Sequence, residues 1–205
     1  MKPDPMAKIL ILFAHPRYEN SLVQQRLSRT ARGVRGVTFH DLYELYPDFD
    51  VEIDQEQELL ISHDMIILQH PFYWYSCPPL LKQWIDLVLE HGWAYGREGN
   101  SLKGKKMFNA ISTGGRQTAY EAGGFNRFTI AQFLAPFDQT ARLCNMEYYP
   151  PFVIHGTHLA TNSDIEKAGE SYRKLLEGLV ADQYPDFAIR KLAYLNELTD
   201  FKNGS

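Results

Sequence analysis

Six consecutive apolar residues, Ile9-Leu10-Ile11-Leu12-Phe13-Ala14, run without a polar interruption near the start of this chain. A strand with one wet face alternates apolar and polar residues. An unbroken run suits a strand covered on both faces, as in the interior of a parallel sheet. Met65-Ile66-Ile67-Leu68 repeats the pattern, and Met107-Phe108-Asn109-Ala110-Ile111 does so with Asn109 as its one polar residue. The first two runs lead through a loop into segments with apolar residues at helical spacing, Val23, Leu27, Ala31 and Val34 in one and Leu80 to Leu89 in the other. Strands alternating with helices predict βαβ units with right-handed crossovers.

The remaining elements follow from local signals. Strands are expected at Lys8 to Ala14, Val37 to Leu42, Asp64 to Gln69, Lys105 to Thr113 and Tyr148 to His155, the last with Pro150-Pro151 near its start. Ser21 with Gln24, and Ser163 with Glu166, read as capping boxes opening helices, the second running to Asp182. Asp54 to His63 reads as a short acidic helix, Pro79 suits a first helical turn, and Thr129 to Cys144 reads as a helix bent at Pro136. Asp186 to Leu198 adds a terminal helix. Five strands predict a three-layer αβα fold with a five-stranded parallel sheet of flavodoxin-like order 2-1-3-4-5. No linker divides the chain, so 1–205 is expected to be a single domain, with a core at 8–182 and a C-terminal extension at 183–205.

Composition narrows the function. A net charge of −4 provides no field to attract nucleic acid or an anionic membrane. No apolar run reaches transmembrane length, and no signal-peptide cleavage region is expected. The cysteines, Cys77 and Cys144, lack metal spacing and suit a reducing cytoplasm. The histidines lack ligand spacing, so no metal is expected. There is no G-x-G-x-x-G after the first strand and no G-x-x-x-x-G-K-[ST], which disfavours a Rossmann dinucleotide site and a P-loop.

In such a sheet the loops after strands one, three and four surround the ligand crevice. The first, His15 to Ser21, enters a helix start, where free N–H groups and the dipole favour an anion, and His15 suits a phosphate oxygen. The second crowds Phe72, Tyr73, Trp74 and Tyr75 between prolines. Flat rings and backbone donors on a stiff loop suit a planar heterocycle such as flavin; the other reading is a hydrophobic loop under a neighbouring element. In the third, Ser112-Thr113-Gly114-Gly115, glycine leaves backbone amides open to a planar ligand. Such amides suit the negative charge of a reduced flavin. Tyr120 is either a proton donor to a carbonyl acceptor or a ring packed on the cofactor. No base or cation activates Cys77, which reads as packing.

With these residues in hand, the sequence resembles the flavodoxin-like NAD(P)H:quinone oxidoreductases, the group containing DT-diaphorase. Within it the chain looks most like the ancillary subunits of bacterial glutathione-gated potassium efflux systems. The resemblance runs from about Lys8 to Thr157 and rests on Ala14-His15-Pro16, Asp41-Leu42-Tyr43, Tyr46-Pro47-Asp48-Phe49, Gln69-His70-Pro71 and Trp74-Tyr75-Ser76. Pro78-Pro79-Leu80-Leu81-Lys82, His91-Gly92-Trp93-Ala94-Tyr95-Gly96, Thr113-Gly114-Gly115 and Pro150-Pro151-Phe152 complete it.

The resemblance implies a flavin phosphate end at His15, Ser21, Leu22, Val23 and Gln24. It implies an isoalloxazine site at Pro71, Phe72, Tyr73, Trp74, Tyr75, Ser112, Thr113, Gly114, Gly115 and Tyr120. It further implies FMN, with FAD as the alternative, and a homodimer. NADPH or NADH would reduce a quinone or other electrophilic acceptor by two-electron hydride transfer in a ping-pong cycle. A potassium efflux protein is the implied partner, holding the chain at the inner face of the cell membrane. Tyr120 matches a family tyrosine that pairs with a histidine, but Asn126 stands about where the histidine belongs and cannot act as an acid. The tail beyond Leu179 has no recognised counterpart. A flavin-binding redox sensor without turnover and a flavodoxin-type electron carrier are the alternative readings.

Overall fold

The computed structural model describes residues 7–199. β1 (Ile9–Phe13) leads through a 3-10 turn at Tyr18–Asn20 into α1 (Leu22–Arg32). β2 (Val37–Asp41), α2 (Leu42–Leu45), α3 (Ile53–Ile61), β3 (Met65–Pro71), α4 (Pro79–Val88) and β4 (Lys106–Ser112) follow. Then come α5 (Ile130–Phe133), α6 (Ala135–Leu143), β5 (Glu147–Tyr148), β6 (Phe152–Ile154), α7 (Asn162–Val180) and α8 (Asp186–Ile189).

All pairings are parallel, in the order β2-β1-β3-β4-β5, with β6 also against β4. β1 lies inside the sheet, Ile9 pairing with Val37 on one side and Met65 on the other. Its alternating side chains explain the unbroken apolar run. Leu10 and Leu12 join Leu60 of α3, Leu81 and Trp84 of α4 and Phe137 of α6 on one face. Ile9, Ile11 and Phe13 join Val23 and Leu27 of α1 and Tyr172 and Leu175 of α7 on the other. Each such aliphatic side chain, fully buried, contributes about 1.5–3 kcal/mol.

Several boundaries differ from the sequence reading. The fifth strand is split: Glu147 and Tyr148 pair with Lys106 and Met107, and Phe152–Ile154 with Ala110–Ser112. Between them Pro150 and Pro151 cannot donate ladder hydrogen bonds. The helix expected from Thr129 is α5 plus α6, parted at Leu134; Pro136 sits in the first turn of α6, where its missing N–H is harmless. β3 continues past Gln69 to Pro71, which brings His70 into the sheet.

The second capping box belongs to Thr161 and Asp164, not Ser163 and Glu166. Thr161 Oγ1 accepts from the Asp164 amide at 3.3 Å, and the Asp164 carboxylate accepts from the Thr161 amide at 3.0 Å. Ser163 lies inside the first turn, and Glu166 is bridged to Arg26 at 3.0 Å. Thr161→Ala is therefore expected to lower stability by about 1 kcal/mol, and Ser163→Ala by less than about 0.5 kcal/mol, in urea denaturation.

The expected terminal helix is α8 and a separate 3-10 turn at Leu195–Thr199. That tail covers the free side of β6. Asn196 Oδ1 accepts from Val153 N–H at 2.9 Å, and its Nδ2 donates to Val153 C=O at 3.0 Å. One side chain thus satisfies the backbone groups that a further strand would have engaged. Residues 200–205 of the expected extension lie outside those described.

Candidate functional site

The carboxyl ends of β1, β3, β4 and β6 bring their following loops together. In the first loop, His15 is buried, and its Nδ1 accepts from the Arg17 amide at 3.1 Å. Burial lowers its pKa, so the neutral ring carries its proton on Nε2. Ser21 caps α1, its Oγ accepting from the Gln24 amide at 3.3 Å. The Leu22 and Val23 amides remain as first-turn donors that no carbonyl of the same helix can reach. Their side chains do not share that role: Leu22 projects outward and Val23 belongs to the core.

The Gln24 side chain does not complete a capping box. It is fully buried, and Nε2 donates to Ser112 Oγ at 2.9 Å while Oε1 accepts from Gln69 Nε2 at 3.0 Å. Gln69 accepts in turn from the Tyr172 hydroxyl at 3.1 Å. This polar spine ties the start of α1, β3, the end of β4 and α7 into one unit. The side chains of Gln24 and Ser112, both expected at the cofactor, are thus committed to positioning the loops.

The second loop is held to β4 by the Phe72 amide donating to Ser112 C=O at 2.9 Å. Its turn, Tyr73–Tyr75, contains consecutive left-handed residues, Trp74 at φ 50° and Tyr75 at φ 63°. Neither is glycine, and bulky residues are rarely found there; such strain persists where surroundings impose it and concentrates at ligand sites. The effect is to hold the Trp74 ring 92% exposed. Tyr73 meets His15 edge-on at 5.8 Å, Tyr75 stacks on Phe133 at 5.0 Å, and Phe72 packs against Tyr120 at 5.9 Å. Only Phe72 is buried in the sense of the alternative reading.

In the third loop, the N–H groups of Gly114, Gly115 and Arg116 have no acceptor among the described residues. Thr113 Oγ1 donates to Gly115 C=O at 2.8 Å, closing the turn. The glycines make room for side chains as well as for a ligand. A Cβ at Gly115 would lie 3.2 Å from the Tyr120 ring, and one at Gly114 would lie 2.3 Å from His158 Nε2. Tyr120 is buried, which raises its phenol pKa against the hydrogen bonds of Thr113 and Asn126. Asn126 also accepts from the Tyr75 hydroxyl at 3.4 Å. Cys77 is half-buried, and burial raises its pKa.

Two histidines escaped the sequence reading. His70 is fully buried, donating from Nδ1 to Pro71 C=O at 2.9 Å and accepting at Nε2 from Asn109 at 3.0 Å. Burial pushes its pKa down to about 4, which makes it a neutral structural group. His155, after β6, lies with its ring 5.6 Å from that of Tyr120. Its distance along the chain from Tyr120 hid the contact.

The whole strand-and-loop arrangement has relatives. A family model described as flavodoxin-like fold matches residues 7–176. The glutathione-regulated potassium-efflux system ancillary protein KefG of Cronobacter sakazakii is 43% identical over 170 residues, covering 83% of this chain and 92% of KefG. The chain belongs to the flavodoxin-like NAD(P)H:quinone oxidoreductase family.

Two solved flavodoxin-like structures align closely. General stress protein 14 from Treponema denticola, crystallised in complex with FMN, has 41% identity and a TM-score of 0.80, covering 84% of this chain and 99% of its own. An NADPH-quinone reductase from P. pentosaceus has 34% identity and a TM-score of 0.74, covering 82% and 96%. Three unpartnered amides beside an exposed, strained tryptophan, with a helix start nearby, fit the demands of a flavin: donors for its polar edge, an aromatic flank and an anion site. Among the described residues no helix is long and apolar enough to cross a membrane.

Proposed function

We propose that this flavodoxin-like chain is an FMN-dependent NAD(P)H:quinone oxidoreductase. The observation that carries the reading is the row of unpartnered amides at Gly114, Gly115 and Arg116 on the rim that also presents Trp74. The FMN bound by the Treponema denticola relative supports the choice of cofactor. Leu22, Val23, Ser21 and His15 would hold the phosphate, and Tyr73, Trp74 and Tyr75 would flank the ring system. Bound FMN supplies two-electron hydride chemistry between NAD(P)H and a quinone, which would use the same face in turn.

This chain's own residues supply the electrostatics. Amides fixed before the reaction favour added negative charge without having to reorganise. Tyr120 keeps its proton, since burial raises its pKa, and can lend a hydrogen bond to an acceptor carbonyl. Asn126 beside it has no acidic proton, so solvent completes protonation. Tyr120→Phe is accordingly expected to lower quinone turnover by less than about 100-fold, the lower range for a positioned acid. A larger loss in steady-state assays means that the phenol delivers the proton itself.

A homodimer, and docking to a potassium efflux protein, belong to the same proposal; KefG supports the second. The reading is tested by the visible spectrum of the purified protein, mass identification of whatever heat releases, and NAD(P)H oxidation with and without quinone. A yellow protein releasing FMN, with quinone-dependent oxidation, is expected. A colourless protein that takes up neither FMN nor FAD in excess overturns it.

A further inference from the structure

The amides of Gly114, Gly115 and Arg116 are useful donors only if their turn is rigid, and the structure shows what holds it. Gly115 C=O accepts from two sides, from Thr113 Oγ1 at 2.8 Å and from the Gly156 amide at 2.9 Å. Thr113 is strapped by its own backbone, its amide donating to Ile154 C=O at 2.8 Å and its carbonyl accepting from the Thr157 amide at 3.0 Å. In a trans peptide C=O and N–H point in opposite senses. Fixing the Gly115 carbonyl toward the β6 loop therefore aims the Arg116 N–H away from it.

The orientation of the Thr113 hydroxyl decides whether this works. A hydroxyl has a single proton, and here it goes to Gly115. Two further groups lie near the Thr113 hydroxyl, the Tyr120 hydroxyl and His155 Nδ1, the latter 3.0 Å from Thr113 Oγ1. With the threonine proton spent, that contact is favourable only if Nδ1 carries a hydrogen and donates. We infer that His155 is a positioning residue for the site, donating from Nδ1 to Thr113 Oγ1 so that the threonine proton is committed to Gly115 C=O and the donor turn is held in one conformation.

Both His155 and Thr113 are buried, so water does not compete for the contact. Burial pushes the His155 pKa down to about 4, leaving a neutral ring with one N–H to place. Tyr120 and Tyr194 rings pack against the imidazole at 5.6 and 5.9 Å, fixing its plane. His155 reaches the site through Thr113. The inference rests on the flavin reading for its consequence, but its geometry is a property of the protein alone.

The test uses the apoprotein and the FMN-loaded protein together. In nitrogen-15 spectra of the histidine-labelled apoprotein, His155 is expected to carry its proton on Nδ1. His155→Leu is expected to broaden the Gly114 and Gly115 amide signals, weaken FMN binding about 10-fold, and move the midpoint potential of bound FMN to a more negative value. Asn places an N–H donor near the Nδ1 position, so His155→Asn is expected to recover FMN affinity to within about threefold. Thr113→Val should match His155→Leu, and the double variant should lose no more than either alone. A proton on Nε2, sharp unchanged amide signals in His155→Leu, or His155→Asn no better than His155→Leu each overturns the inference. If the unaltered protein takes up no FMN, the functional reading falls, while the apoprotein spectra still judge His155.

Discussion

Glu56→Ala protein is expected to lose about 3–5 kcal/mol of unfolding free energy. Glu56 is 1% exposed, yet three donors from separate elements converge on its carboxylate. His40 of β2 lies 2.7 Å from Oε1, the Tyr46 hydroxyl 2.5 Å from the same oxygen, and Trp84 Nε1 of α4 2.7 Å from Oε2. Truncation leaves buried Tyr46 and Trp84 with unmade hydrogen bonds, at about 1–3 kcal/mol each. Burial alone would raise the Glu56 pKa, but the His40, Tyr46 and Trp84 hydrogen bonds outweigh it and hold the carboxyl below the usual range for a glutamate.

The sign of the pH dependence follows. A carboxyl depressed on folding stabilises fully above its unfolded pKa, and that contribution is lost as pH falls through the lower folded value. The gap between unaltered protein and Glu56→Ala should therefore be widest near neutrality and shrink on acidification, as read from urea midpoints across that range. A variant within about 1 kcal/mol of the unaltered protein at neutral pH sinks the account.

The second large effect is expected at Gly115. Gly115→Val should weaken FMN binding about 100-fold or more, because the added Cβ starts 3.2 Å from the Tyr120 ring and its branches must go further. Tyr120 cannot step aside, being wedged against Phe72 at 5.9 Å, Phe133 at 6.3 Å and His155 at 5.6 Å. The turn must move instead, taking its amides with it. Gly114→Ala forms a sharp contrast. Its Cβ meets only the far end of His158, an exposed side chain that can swing away, so affinity should fall by less than about threefold. Fluorescence titration with FMN measures both. Equal losses at the two glycines would mean that the ligand, and not the neighbouring rings, sets the need for glycine.

The parts of the fold legible in sequence were those governed by periodicity. β1 and β3 announce themselves because both of their faces are dry, and the Val23–Leu27–Ala31 stripe because one face of α1 is. Local competition between caps was not legible in the same way: Thr161 with Asp164 and Ser163 with Glu166 have equal spacing, and in the fold Thr161 takes the cap while Glu166 pairs with Arg26. The site's loops could be named from residue type, since aromatic and glycine-rich turns at strand ends are conspicuous. What their side chains do could not. Gln24 looked like a cap or a ligand contact and is an interior strut, because its partners Gln69 and Ser112 are distant in sequence. His155 was invisible for the same reason.

The family match stops at residue 176, whereas the backbone of β6 is not completed until Asn196 reaches Val153. The shared pattern and the completed sheet thus have different borders. A version of this protein trimmed at residue 176 would end inside α7 and leave Val153 as an open rung, ready to recruit a strand from another molecule.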